Sequence, residues 1–146
     1  MTEPTPTTAP ATEAIQVALA AEHAAVFVYG ALGGQTSQSA NPTLYAAVTA
    51  AYTAHRVRRD ELAALVTAAG AEPVAAEPGY DLPADLGSPA AVAARALQLE
   101  EAAASTYAYL VASTTGEARA WGVRALLDAA VRGLGFGGTP ERLPGL

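Results

Sequence analysis

Two glutamates, one histidine and a handful of arginines are the residues of this chain whose types and spacing could do chemistry. Glu22 and Glu100 hold the same place in two stretches that align without a gap, Leu19 to Leu32 and Leu97 to Leu110. The offset is 78 residues throughout, and Leu, Glu, Tyr and Leu recur at relative positions 0, 3, 10 and 13. That spacing is a helical stripe with a carboxylate set where an apolar residue belongs. A carboxylate on a packing face needs an opposite charge or a bound cation, because burying it alone costs several kcal/mol.

The partners at hand are His55, in the middle of a stripe running Leu44, Val48, Ala51, His55, Leu62, Val66, and the bases Arg58, Arg59, Arg124 and Arg132. The expected arrangement is a buried polar layer of Glu22, His55, Arg58, Arg59, Glu100, Arg124, Asp128 and Arg132. Such a layer adds little net stability but fixes register between alanine-rich helices. Tyr29 and Tyr107, two turns beyond their glutamates, are expected as core aromatics whose hydroxyls reach a polar partner, with Tyr52 as a third core aromatic. His23 points about 100° from Glu22 and is expected to face solvent or a subunit contact. Trp121 suits either a core or an interface. The mixed run Arg56 to Glu61 otherwise reads mostly as a solvated face with intrahelical pairs.

Other chemistries find no residues. Gly133 to Gly138 follows a helix and so is no phosphate loop, and Glu100-Glu101 face different sides of a helix. No Ser/His/Asp order is present, and the 2 histidines give little scope for acid–base catalysis. No cysteine means no disulfide, thiolate or cysteine-bound metal. A net charge of −6, with all 8 bases arginine, excludes a broad phosphate-binding surface, so no nucleic-acid partner is expected.

The elements that must position these side chains are helices. Hydrophobic residues make up 51% of 146 residues, dominated by alanine, which is enough for one domain with close-packed helices. Residues 1–11, rich in Thr and Pro, read as a flexible arm without the basic and apolar regions of a signal peptide. Helix 1 is expected from Pro10 or Thr12 to Gly33-Gly34. Helix 2 starts at Asn41-Pro42 and runs to about Ala69, with Gly70 as a cap. Residues 71–87 hold three Pro, two Gly and four acids and form a long connection. Ser88-Pro89 opens helix 3, and helix 4 spans Glu117 to about Leu134, with Trp121, Arg124, Asp128 and Val131 on one side and Leu127, Val131 and Leu134 on the next. An irregular tail follows from about 135. The strongest apolar run, Ala24 to Leu32, is shorter than the roughly 20 residues needed to span a bilayer, so a soluble cytoplasmic protein without membrane contact is expected. The whole reads as an all-α, up-down-up-down four-helix bundle over residues 12–146, built from two pseudo-repeated hairpins.

Glu22-His23-Ala-Ala, His55 to Leu62, Tyr80-Asp-Leu-Pro83, Leu99-Glu100, Leu127 to Arg132 and the final Leu-Pro-Gly-Leu resemble the actinobacterial ferritin-like domains of unknown function. The resemblance implies a ferritin-like bundle and offers a di-iron or di-manganese centre for comparison. That pattern takes a Glu from each of two helices and Glu-x-x-His from each of the other two. Here Glu22, His55, Glu100 and Asp128 would be its iron or manganese ligands; Tyr52 stands three before His55 where the pattern has Glu, and helix 4 lacks His. The expected protein is therefore a metal-free binding or interaction module without a cofactor, and no enzymatic constellation is visible. A di-metal carboxylate oxidase or iron-handling protein is the alternative. The superfamily also implies a homodimer; a small-molecule or protein partner stays open.

Overall fold

A computed structural model describes residues 8–146. Four helices carry the chain: α1 (Thr8–Gln35), α2 (Pro42–Ala68), α3 (Pro89–Ser113) and α4 (Gly116–Gly135). The expected arm lies outside the described residues as far as residue 7, and residues 8–11 are already helix. Pro10 is tolerated there because a first-turn N–H has no intrahelical partner to lose. Thr12, expected as the cap, is inside the helix. Asn41-Pro42 and Ser88-Pro89 open α2 and α3 as expected, and the Ser88 side chain accepts from Ala91 N, a cap worth about 1 kcal/mol. At the end of α2, Gly70 turns left-handed at φ 81°, with Gly70 N donating to Thr67 O and Ala71 N to Val66 O. Gly137 closes α4 in the same way at φ 95°.

The bundle is four-helical, but its directions differ from the expected alternation. One core cluster joins Ile15 and Leu19 of α1 to Leu62 and Val66 of α2, Tyr107 and Leu110 of α3 and Trp121 of α4. The other joins Val28 and Leu32 to Val48, Val92 and Phe136. The start of α1 thus meets the ends of α2 and α3, and the order is up-down-down-up, with α2 and α3 parallel. The connection 69–88 must then travel the length of a helix, and it does so along α1. Gln16 Nε2 donates to Glu72 O and Val74 N donates to Gln16 Oε1. His23 Nε2 bonds Val74 O at 2.9 Å, Phe27 packs on Tyr80, and Leu86 enters the second cluster. His23, half-buried, thus fastens this strap.

The α3–α4 contact corrects the expected face of α4. Buried are Trp121, Gly122, Ala125, Ala129 and Gly133, while Leu127, Val131 and Leu134 are exposed. Small residues let the two backbones approach, and the gain in close contacts outweighs burying the larger side chains. Phe136, in the expected irregular tail, is core. Among the described residues α1 is the one helix long and apolar enough to cross a membrane, its most apolar 18-residue stretch having a mean hydropathy of 1.5, with 44% of that stretch buried inside the bundle. Its alanines extend the apolar run beyond Ala24 to Leu32.

These contacts give two glycine substitutions opposite signs. A Cβ on Gly122 would lie 2.8 Å from Leu110 and 3.0 Å from Val111, so Gly122→Val is expected to destabilise by about 2 kcal/mol through overpacking. A Cβ on helical, exposed Gly30 meets only Tyr52, at 3.7 Å, so Gly30→Ala should stabilise by about 0.5 kcal/mol. Urea unfolding of both variants measures the difference.

Candidate functional site

The antiparallel approach of α1 to α3 sets Glu22 and Glu100 at one level, with His55 of α2 between them. All three are almost wholly buried. His55 Nδ1 lies 2.6 Å from Glu22 Oε2 and Nε2 lies 3.0 Å from Glu100 Oε1. A carboxylate at each ring nitrogen leaves both nitrogens as donors, so the ring is an imidazolium. Burial by itself would lower its pKa; the hydrogen bonds and charges of Glu100 and Glu22 outweigh that and raise it from 6.5 to about 9.

The tyrosines close the layer by exchange. Tyr29 of the first repeat donates to Glu100 Oε1 of the second at 2.6 Å, and Tyr107 of the second donates to Glu22 Oε1 of the first. Burial and then the adjacent carboxylates push both phenols above their usual range and keep them protonated. Tyr29 also stacks on the His55 ring, with centroids 5.1 Å apart. The layer then runs outward. Arg58 donates to Tyr107 Oη at 3.4 Å and to Asp128, with its guanidinium over the Tyr107 ring. Burial opposes the Arg58 charge, but Tyr107, Asp128 and Glu22 together raise its pKa. Arg132 Nη2 donates to Asp128 Oδ2 at 2.7 Å, and its Nε lies 3.7 Å from Glu100 Oε1.

Glu22, His55, Arg58, Glu100, Arg132 and Asp128 are thus brought together, Asp128 with its side chain half exposed at the outer end. Arg59 and Arg124 stand outside. Arg59, one helical position from Arg58, swings to the flank and pairs with Asp60; Arg124 is exposed because α4 buries its small residues instead. Tyr52 is only partly buried at the core's edge, with the Arg56 guanidinium over its ring. Trp121 is core: it packs edge-on against Tyr107 and donates to Glu61 Oε2 at 2.7 Å. Glu61 and His23 carry no sequence signal for these roles, since their partners lie on α4 and in the connection.

The residues present do not fit a two-metal centre. Among the described residues no group of three His, Asp or Glu side chains is arranged to hold a metal ion. Both His55 nitrogens face carboxylates, both Glu22 oxygens accept hydrogen bonds, and Asp128 is taken by two guanidiniums. Permanent cations at this level oppose another.

One oxygen is left over. Tyr29 and His55 hydrogen-bond Glu100 Oε1 and Arg132 Nε lies 3.7 Å from it, while the buried Oε2, like Arg132 Nε itself, has no hydrogen-bond partner among the described residues. Beside Glu100 a cavity of 330 Å³ opens between α3, α4 and the C-terminal tail.

Because the His55 pKa is higher folded than unfolded, its contribution to stability is complete below pH 6.5 and disappears as pH rises through about 9. Urea unfolding at stepped pH should show a loss of roughly 3 kcal/mol across that window, and His55→Gln should abolish this component. Glu22→Ala leaves the imidazolium and the Tyr107 hydroxyl without their acceptor, and should cost roughly 4 kcal/mol at pH 6; an unchanged urea midpoint would contradict the pairing.

A crystal structure of a conserved hypothetical protein from Mycobacterium tuberculosis is similar to this chain, with 29% sequence identity and a TM-score of 0.80 over 88% of this chain and 95% of that one. No curated protein matches. The family model described as domain of unknown function (DUF4439) matches residues 14–146. Nearly the whole bundle, including every residue of the polar layer, lies inside that match, and the chain belongs to this family.

Proposed function

We propose that this chain is a ferritin-like bundle in which an internal ion-pair layer stands where such bundles hold a metal centre, and that it acts by binding rather than by catalysis. The observation that carries this reading is His55, whose two ring nitrogens are both engaged by carboxylates. An imidazolium has no lone pair for a metal, and it already neutralises the charge that a metal would neutralise. Arg58 and Arg132 supply the remaining positive charge, so the layer of three acids and three bases is balanced without a cofactor. Support for binding comes from the cavity beside Glu100, whose 330 Å³ lies in the range of small-molecule sites. Among the described residues no nucleophile is hydrogen-bonded to a base at its lining.

Elemental analysis of the protein produced with iron and manganese supplied tests the proposal. Far less than one metal per chain is expected, together with a melting temperature unmoved by either ion. About two metals per chain, as a carboxylate-bridged pair requires, would overturn it.

A further inference from the structure

The two repeats treat their glutamates unequally, and the inequality marks a place for a ligand. Glu22 has both oxygens engaged, Oε1 by Tyr107 and Oε2 by His55. Glu100 has two donors on Oε1, with Arg132 Nε 3.7 Å from the same oxygen, and none on Oε2, although the residue is 1% exposed. The pseudo-twofold relation of the hairpins calls for a donor from α4 to match His55 of α2. At the position matching His55, α4 has Gly133, whose added Cβ would lie 3.8 Å from Glu100 Cβ, and neighbouring Arg132 reaches Glu100 only as an ion pair, Nε at 3.7 Å from Oε1. The cavity occupies that vacancy: Leu97, Glu100, Ala104, Ala129 and Gly133 line its inner part. Glu101, Ser105 and Glu141 stand at its mouth, and no basic residue is among those lining it.

The tail seals the remaining side in one conformation. Gly145, at φ 84°, sits so close to the Ala104 carbonyl that a Cβ would collide with it. A Cβ on Gly138 would lie 2.9 Å from Gly133 O. Glycines at both contacts hold the tail against α3 and α4 with space left beneath it.

We infer that this cavity binds a small organic cation, an ammonium on a short apolar body, whose N–H groups donate to the unpartnered Oε2 of Glu100. An orphaned buried carboxylate oxygen wants a charge-assisted donor. Glu101 and Glu141 at the mouth and the unpartnered oxygen of Glu100 within favour positive charge, and Leu97, Ala104 and Ala129 accept a hydrocarbon or a ring. The inference rests on the metal-free reading of the layer, since a metal at Glu100 would occupy the same oxygen.

Benzylamine, titrated into the full chain at pH 7 and followed by ¹H–¹⁵N spectra, is the test. It should shift the Ala104, Gly133 and Gly145 amides and bind at least about tenfold more tightly than its neutral isostere benzyl alcohol. Ala130→Trp, which fills the wall of the cavity away from the polar layer, should remove the effect while leaving the pH-dependent stability of His55 intact. Equal binding of amine and alcohol, shifts elsewhere in the bundle, or no shifts up to about 100 times a typical micromolar affinity would overturn the cation site. Those results leave the metal-free layer standing, because metal content is measured separately.

Discussion

The structure depends on one imidazolium held between two buried carboxylates. Alanine-rich helices pack closely but supply few large side chains to distinguish one register from the next, so an apolar seam alone would tolerate sliding by a turn. Glu22, His55 and Glu100 remove that tolerance. Their hydrogen bonds form only when three helices stand at one height, and any slip would leave buried charge unpaired at a cost of several kcal/mol. The tyrosines extend the constraint, each tying one half of the chain to the other.

Specificity in the layer and closeness in the packing are complementary. Across α3 and α4 the contact runs through Gly122, Ala125, Ala129 and Gly133, which brings the backbones together and turns Leu127 and Val131 outward. The same small residues that allow that approach leave the space beside Glu100, so packing and cavity have one origin. On the opposite side α2 brings His55 and Arg58, and there the interior is filled with paired charge.

Much of this was legible in the residues before any coordinates. Asn41-Pro42 and Ser88-Pro89 mark helix starts through local chemistry, and the repeated Glu and Tyr spacing places both carboxylates on inward stripes. What could not be read depends on distant partners. Arg58 and Arg59 are one residue apart and equally basic, and only the position of Asp128 and Tyr107 selects the first. The buried face of α4 escapes the sequence because glycine and alanine give a weak hydropathy signal beside leucine. The direction of α3 was misassigned because a polar connection of residues 71–87 has the same composition whether it turns back or runs the length of the bundle. The role of His23 is not legible in the sequence because its partner is a backbone carbonyl of that connection.

The exchange of tyrosines between the halves also explains why the connection is long. A helix that meets its own repeat antiparallel, each giving to the other what it receives, has the geometry of a two-fold dimer of hairpins. In such an assembly the end of one hairpin and the start of the next lie at opposite poles, about 40 Å apart for a helix the length of α2. Joining them into a single polypeptide requires a tether of that reach, and the segment laid along α1 is the tether. The chain is in effect a dimer made covalent, its internal symmetry kept in the carboxylates and phenols and broken at the one histidine that both halves share.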